Sequence, residues 1–186
     1  MGQGEKFDRI LLAHGSGGKL AHELVEKHFV RVFDNPLLAR LDDSAVFAVS
    51  GRLAFTTDSY VVSPIFFPGG DIGKLAVCGT VNDLAMSGAR PLCLSLSLII
   101  EEGLPQSELN TIVESVNGAA IEAGVTIVTG DTKVVHRGSA DKLFINTAGI
   151  GIIPENVDIS GSNAKPGDKV LLSGPIGDHG LSLIHI

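Results

Sequence analysis

Residues 91–129 read as strand, helix, strand, and that order restricts what the chain can fold into. In "PLCLSLSLII" Leu94, Leu96 and Leu98 alternate on one face, the period of a half-buried strand. Pro105 then opens a helix in which Leu109, Ile112, Val113, Val116 and Ala120 form one apolar stripe, and Gly124 ends it. "VTIVT" resumes as a strand. A helix between two strands is a crossover connection.

The flanking segments connect differently. Residues 18–33 carry Leu20, Leu24, Val25, Phe29 and Val32 at helical spacing. "SAVFAVS" and "RLAFTTDSYVV" read as strands on either side of a turn at Gly51, and "PIFFPGGD" as a loop. Asp71 stands where an N-cap belongs for a helix running to about Ser87, with Gly88 suited to its end. "LFINTAGIGII" is a further strand. Hairpin-like and crossover connections together predict an α/β fold with a mixed, α+β-like sheet, not a doubly wound parallel one. After Pro154 the polar, turn-rich "ENVDISGSNAKPGD" reads as a linker, "KVLLSG" as a new strand and "GPIGDHG" as a glycine-rich loop. The expected division is a domain over 1–154 and the linker and truncated start of a second over 155–186.

Composition narrows the function. Hydrophobic residues make up 44% of the 186 and charged ones 19%, as in a packed globular protein. A net charge of −7 without a Lys/Arg run argues against nucleic acid, though a metal ion can bring an anionic small molecule to such a surface. Cys78 and Cys93 lie in apolar sequence and form neither a disulfide framework nor a metal motif. With no apolar signal core and no membrane-length run, the expectation is a cytoplasmic protein off the membrane.

Several glycines and carboxylates sit at junctions. "AHGSGGKL" precedes the first helix, and its backbone N–H groups suit phosphate oxygens, but the Walker A spacing is missing, and a mobile loop has the same composition. His14 orients a ligand there or caps a strand end. Asp43, Asp58, Asp83 and Asp131 stand at the ends or edges of four separate elements. Each alone reads as a cap or turn residue; together they are hard oxygen ligands of the kind Mg²⁺ takes alongside phosphates. Gly79 lies one helical turn before Asp83, at a cost of about 1 kcal/mol against alanine. It either makes room for a ligand or lets helix and strand pack closely. Lys133 shares a strand face with Asp131, as a phosphate-contacting cation or a surface lysine. His22, His28, His179 and His185 show no ligand spacing.

Three segments together carry a resemblance: "HGSGGK", "FTTDSYVVSPIFFPGGDIGKLAVCGTVNDLAMSGARP" and "IVTGDTKVVHRGSADKLFINTAGIG". They resemble the HypE family of hydrogenase maturation proteins, carbamoyl dehydratases of the PurM-like superfamily, from about Leu11 to Gly180. The resemblance implies a two-domain subunit that dimerises through N-domain strands, with ATP in a cleft near the dimer interface. It implies ATP-dependent dehydration of a C-terminal cysteine S-carboxamide to a thiocyanate, the source of the cyanide ligand of nickel–iron hydrogenase. Partners implied are HypF, which supplies the carbamoyl group, and the HypC–HypD complex. Asp43, Asp58, Asp83 and Asp131 would hold Mg²⁺, and Lys133 would stabilise the transferring phosphate, with Asp83 as ligand or base. ATP contacts would come from His14, Gly15, Ser16, Gly17, Gly18, Lys19, Asp58, Gly79, Asn82, Gly130 and Thr132. The chain ends "LSLIHI", without the family's terminal cysteine, so as written it is expected to be inactive. Other readings are a selenophosphate synthetase or thiamine-monophosphate kinase type of phosphotransferase, with Ser16 and glycines counting against the former, and a non-catalytic nucleotide-binding module.

Overall fold

The computed structural model describes residues 8–174. After a 3₁₀ turn at Leu12–Gly15 come helices α1 (Lys19–Val25) and α2 (Arg31–Phe33), joined without a break by a π-helical turn at Glu26–Val30. The expected helix over 18–33 is thus present, with a widened turn inside it. His28 and Phe29 of that turn are both buried, and His28 Nδ1 hydrogen-bonds Asn110 Oδ1. The remaining elements are β1 (Arg52–Tyr60), β2 (Phe66–Phe67), β3 (Gly70–Asp71), α3 (Ile72–Met86), β4 (Arg90–Glu101), α4 (Gln106–Ala123), β5 (Thr126–Val135) and β6 (Leu143–Ile153).

Four strands form one mixed sheet in the order β1-β6-β4-β5. β6 pairs antiparallel with β1 and with β4, whereas β4 and β5 are parallel, with α4 crossing between them. β2 and β3 make a small separate hairpin where a loop is expected over 64–71. Asp71 caps α3 through its side chain, Oδ1 accepting from the N–H groups of Gly73 at 2.7 Å and Lys74 at 3.0 Å. One face of the sheet is buried under α3 and α4. Leu94, Leu96, Leu98 and Ile100 of β4 meet Ala76 and Val77 of α3 and Leu109, Ile112, Val113 and Val116 of α4 in a single core. Nothing in the described chain covers the opposite face, where Phe55 is 71% exposed and Leu53 and Ile99 also reach solvent.

Two expected strands are absent. Residues 45–50 form no strand: among the described residues β1 bonds only to β6, and Val46 stays 69% exposed. An alternating pattern makes a strand only where a neighbour takes its N–H and C=O groups. The "KVLLSG" stretch is likewise unpaired through Gly174, with Val170 and Leu171 about nine-tenths exposed. The glycine-rich loop expected beyond it, and His179 and His185, lie outside the described residues.

His28 carries a consequence for acid stability. Burial pushes its pKa below the usual histidine value, and Lys27 and His14 push the same way, against the hydrogen bonds from Asn110 and Gln106. The unfolded chain therefore binds a proton that the folded chain resists, so stability is held above the unfolded pKa of about 6.5 and falls as pH drops below it. Urea unfolding midpoints should decline from pH 7 towards pH 5, and His28→Gln should flatten that slope. An equal slope in the variant would clear His28 of the effect.

Candidate functional site

A cleft of about 310 Å³ lies between the first helix and residues 127–133 of β5. One wall is apolar: Val25, Phe29, Phe33, Leu37, Leu38 and Leu41. The other runs along Thr129, Gly130, Asp131, Thr132 and Lys133, with His14, Gly15 and Gly17 at the rim. The lining suits an amphipathic ligand, with a flat apolar part on the aromatic side and an anionic part near the lysine and the glycines. Lys133 Nζ stands 3.4 Å from Asp131 Oδ1, both side chains more than half exposed, so each is free to exchange its partner for a ligand at little loss. His14 is buried, its Nδ1 accepting from the Leu11 N–H at 2.9 Å. It shapes the turn that carries Gly15.

Of the expected ATP contacts, His14, Gly15, Gly17, Gly130 and Thr132 line the cleft, as do Asp131 and Lys133. Ser16, Gly18 and Lys19 do not. Ser16 Oγ donates to the Ala13 carbonyl, Gly18 precedes α1, and Lys19 pairs loosely with Glu23 in solvent. Asp43 is exposed beside the cleft, and its neighbour Asp42 forms part of the wall.

Asp58, Gly79, Asn82 and Asp83 form a separate group. Asp83 on α3 accepts from Thr56 Oγ1 of β1 at 3.1 Å, and Asp58 lies farther along the same strand. Sheet register fixes the gap. Asp58 is opposite Thr147, Thr147 opposite Leu96, and Leu96 opposite Gly130. Three strand spacings separate the two sites, roughly 14 Å. Ligand oxygens around one Mg²⁺ sit about 2.1 Å from the ion, so a single ion cannot join Asp58 to Asp131 within one chain. Among the described residues no three His, Cys, Asp or Glu side chains gather closely enough to hold an ion by themselves.

Gly79 faces a side chain of this chain. A Cβ there would sit 2.9 Å from Tyr60 Cε1 and closer still to the phenol oxygen. The close-packing alternative describes its surroundings. Tyr60 is buried, and that burial pushes its pKa up to about 12. Gly79→Ala should gain about 1 kcal/mol of helix propensity and lose more to overpacking, about 1–3 kcal/mol. A higher melting temperature in that variant would show that the tyrosine yields. Cys93 is buried, which raises its thiol pKa and leaves it a packing residue; Cys78 is half-buried.

Sequence reasoning overlooked Asn35. Its Nδ2 donates to the Ile127 carbonyl at 2.9 Å while Oδ1 accepts from the N–H groups of Leu37 and Leu38, tying the wall formed by residues 37–45 to β5. The Asp34–Asn35–Pro36 run is a turn signature that marked this position.

Residues 41–153, which contain the whole sheet, match the family model for AIR synthase related protein, N-terminal domain. The chain belongs to the AIR synthase related family. Within it, the chain is 52% identical over 181 residues to the carbamoyl dehydratase HypE of Cupriavidus necator, covering 96% of this chain and 52% of that one. The crystal structure of a hydrogenase maturation protein HypE in complex with ATP superposes with a TM-score of 0.90 at 57% identity, over 94% of this chain and 52% of that one. A HypE–HypF complex matches at 56% identity with a TM-score of 0.70, over 87% and 52%. The chain spans about half the length of the relatives it matches. No helix among the described residues is long and apolar enough to cross a membrane.

Proposed function

We propose that this chain is the nucleotide-binding half of an ATP-dependent carbamoyl dehydratase of hydrogenase maturation, working in the cytoplasm. The observation that carries the proposal is the cleft, which brings Gly15, Gly17, Asp131 and Lys133 together in a chain 57% identical to a protein solved with ATP. Bound there with Mg²⁺, ATP supplies the phosphoryl group that turns a carboxamide oxygen into a leaving group, so that dehydration of a cysteine S-carboxamide leaves a thiocyanate. The residues supply position and charge, which dominate phosphoryl transfer. Phe29 and Phe33 offer a face for the base. Lys133 meets the developing phosphate charge. Asp131, with Asp42 or Asp43 at the rim, holds the metal from the protein side.

Asp58 and Asp83 enter through a second copy. The uncovered sheet face and the open edge of β1 are where a homodimer would pair, and a partner turned so that its Asp58–Asp83 group meets this cleft would complete the ligand set that one chain divides. The domain boundary lies near Pro154, after the last strand. HypF and the HypC–HypD complex are the partners this reading assigns to the whole protein, HypF on the strength of the relative solved with it.

The test is phosphate release by a full-length version supplied with a carbamoylated C-terminal cysteine peptide, with and without Asp83→Asn. Peptide-dependent release that falls at least a hundredfold, or roughly the effect of removing one electrostatic stabiliser, is the expected result. Release indifferent to the peptide refutes the dehydratase, and normal turnover at limiting Mg²⁺ removes Asp83 from the site.

A further inference from the structure

Beneath the Asp58–Asp83 group lies a chain of buried hydroxyls that no step above uses. Tyr60 Oη is 3.1 Å from Thr80 Oγ1. Thr80 Oγ1 in turn shares a hydrogen bond with Thr147 Oγ1, which lies 3.5 Å from the Ala76 carbonyl oxygen. Thr80 and Thr147 are fully buried and Tyr60 nearly so. Three elements, β1, α3 and β6, are thereby joined at one point by buried side chains. Tyr60 and Thr56 point from the same face of β1. Thr56 holds the Asp83 carboxylate, less than one helical turn beyond Thr80.

The energetics make this a fixed joint. A buried hydroxyl that loses its partner costs about 1–3 kcal/mol, so turning α3 about its axis would strand several hydroxyls at once. The absent side chain at Gly79 lets the Tyr60 ring lie directly on the helix, which brings the phenol oxygen within reach of Thr80. This contact acts with the buried Ile72, Ala76, Val77 and Leu84 to hold the rotation of α3, and with it the direction in which Asn82 and Asp83 project.

We propose that Tyr60 is a positioning residue for the Asp83 carboxylate, acting through the Thr80 and Thr147 hydroxyls. The proposal rests on the reading that Asp83 meets Mg²⁺–ATP. Its test measures ATP binding to the chain by calorimetry across a Mg²⁺ series, alongside thermal unfolding, for Tyr60→Phe, Thr80→Val, Thr80→Ser and Asp83→Asn. Tyr60→Phe keeps the ring over Gly79 and removes only the hydroxyl. It and Thr80→Val should raise the Mg²⁺ concentration for half-maximal binding about threefold to tenfold, the equivalent of one lost hydrogen bond. Thr80→Ser, which keeps the hydroxyl, should stay within about twofold of the parent. Variants that melt earlier yet keep the parent Mg²⁺ midpoint would reduce the network to a packing feature and overturn the proposal. Should Asp83→Asn itself leave the midpoint unmoved, the underlying reading of Asp83 fails, and the positioning role falls with it.

Discussion

Gly130→Ala is expected to destabilise the fold by more than about 3 kcal/mol, beyond the usual cost of overpacking. The added Cβ would stand 3.3 Å from the Leu96 carbonyl carbon and overlap the carbonyl oxygen itself. Both are backbone atoms of the paired strand, where the register shifts at Leu94/Ser95. A side chain can swing away from such an intruder, but β4 cannot, because Leu96 also pairs with Thr147 of β6. Relief requires parting β4 from β5, which opens the core and the cleft wall together. A loss of that size is a large part of the stability of an ordinary domain. Gly118→Ala is the control: nothing lies within 4 Å of a Cβ at that position on α4, so it should stabilise by up to about 1 kcal/mol. Urea unfolding followed by circular dichroism separates the two. Equal midpoints for Gly130→Ala and the parent would show that the strands part more easily than their pairing implies.

Lys133→Met is expected to leave the fold intact and to weaken ATP binding about 10-fold to 100-fold, the range of one charge-assisted hydrogen bond. Among the described residues its ion-pair partner is Asp131, at 3.4 Å, with both side chains more than half exposed. Pairs of that kind contribute about 0–1 kcal/mol to stability, and methionine keeps the aliphatic length of the stem. Affinity and stability should therefore separate: calorimetric binding falls while the melting temperature moves little. A chain that binds ATP at parental strength without the lysine would place the phosphates elsewhere in the cleft.

The elements most plainly written in the sequence are those with local punctuation. Asp71 caps α3 within its own first turn, and Pro105 and Gly124 bracket α4, so no distant contact is needed to find them. Residues 44–50 show the converse. Their alternation is that of a strand, but whether a strand forms depends on a neighbour, and the local pattern does not say which chain provides one. Gly79 could not be resolved from its own helix because the atom that fills its space belongs to Tyr60, on another element. The four aspartates do not stand at element ends as expected: Asp58 lies within β1, Asp83 within α3 and Asp131 mid-way along β5, which runs on past Gly130, and no strand follows Asp43. Their division into two groups follows from the strand order, which puts β1 and β5 on opposite margins of the sheet, and no periodicity within a single strand encodes that order.

Tyr60 is the chain's one tyrosine, and there is no tryptophan. Its ultraviolet absorbance and fluorescence therefore belong to one contact, the place where β1 meets α3. Circular dichroism is dominated instead by the helices, above all α4. The two signals watch different joints of the same molecule without any label being introduced. If they change together in denaturant, the domain opens as one cooperative unit. If the tyrosine signal changes first, β1 and α3 separate while the β4–α4–β5 crossover holds, and the protein itself reports which of its halves is the looser.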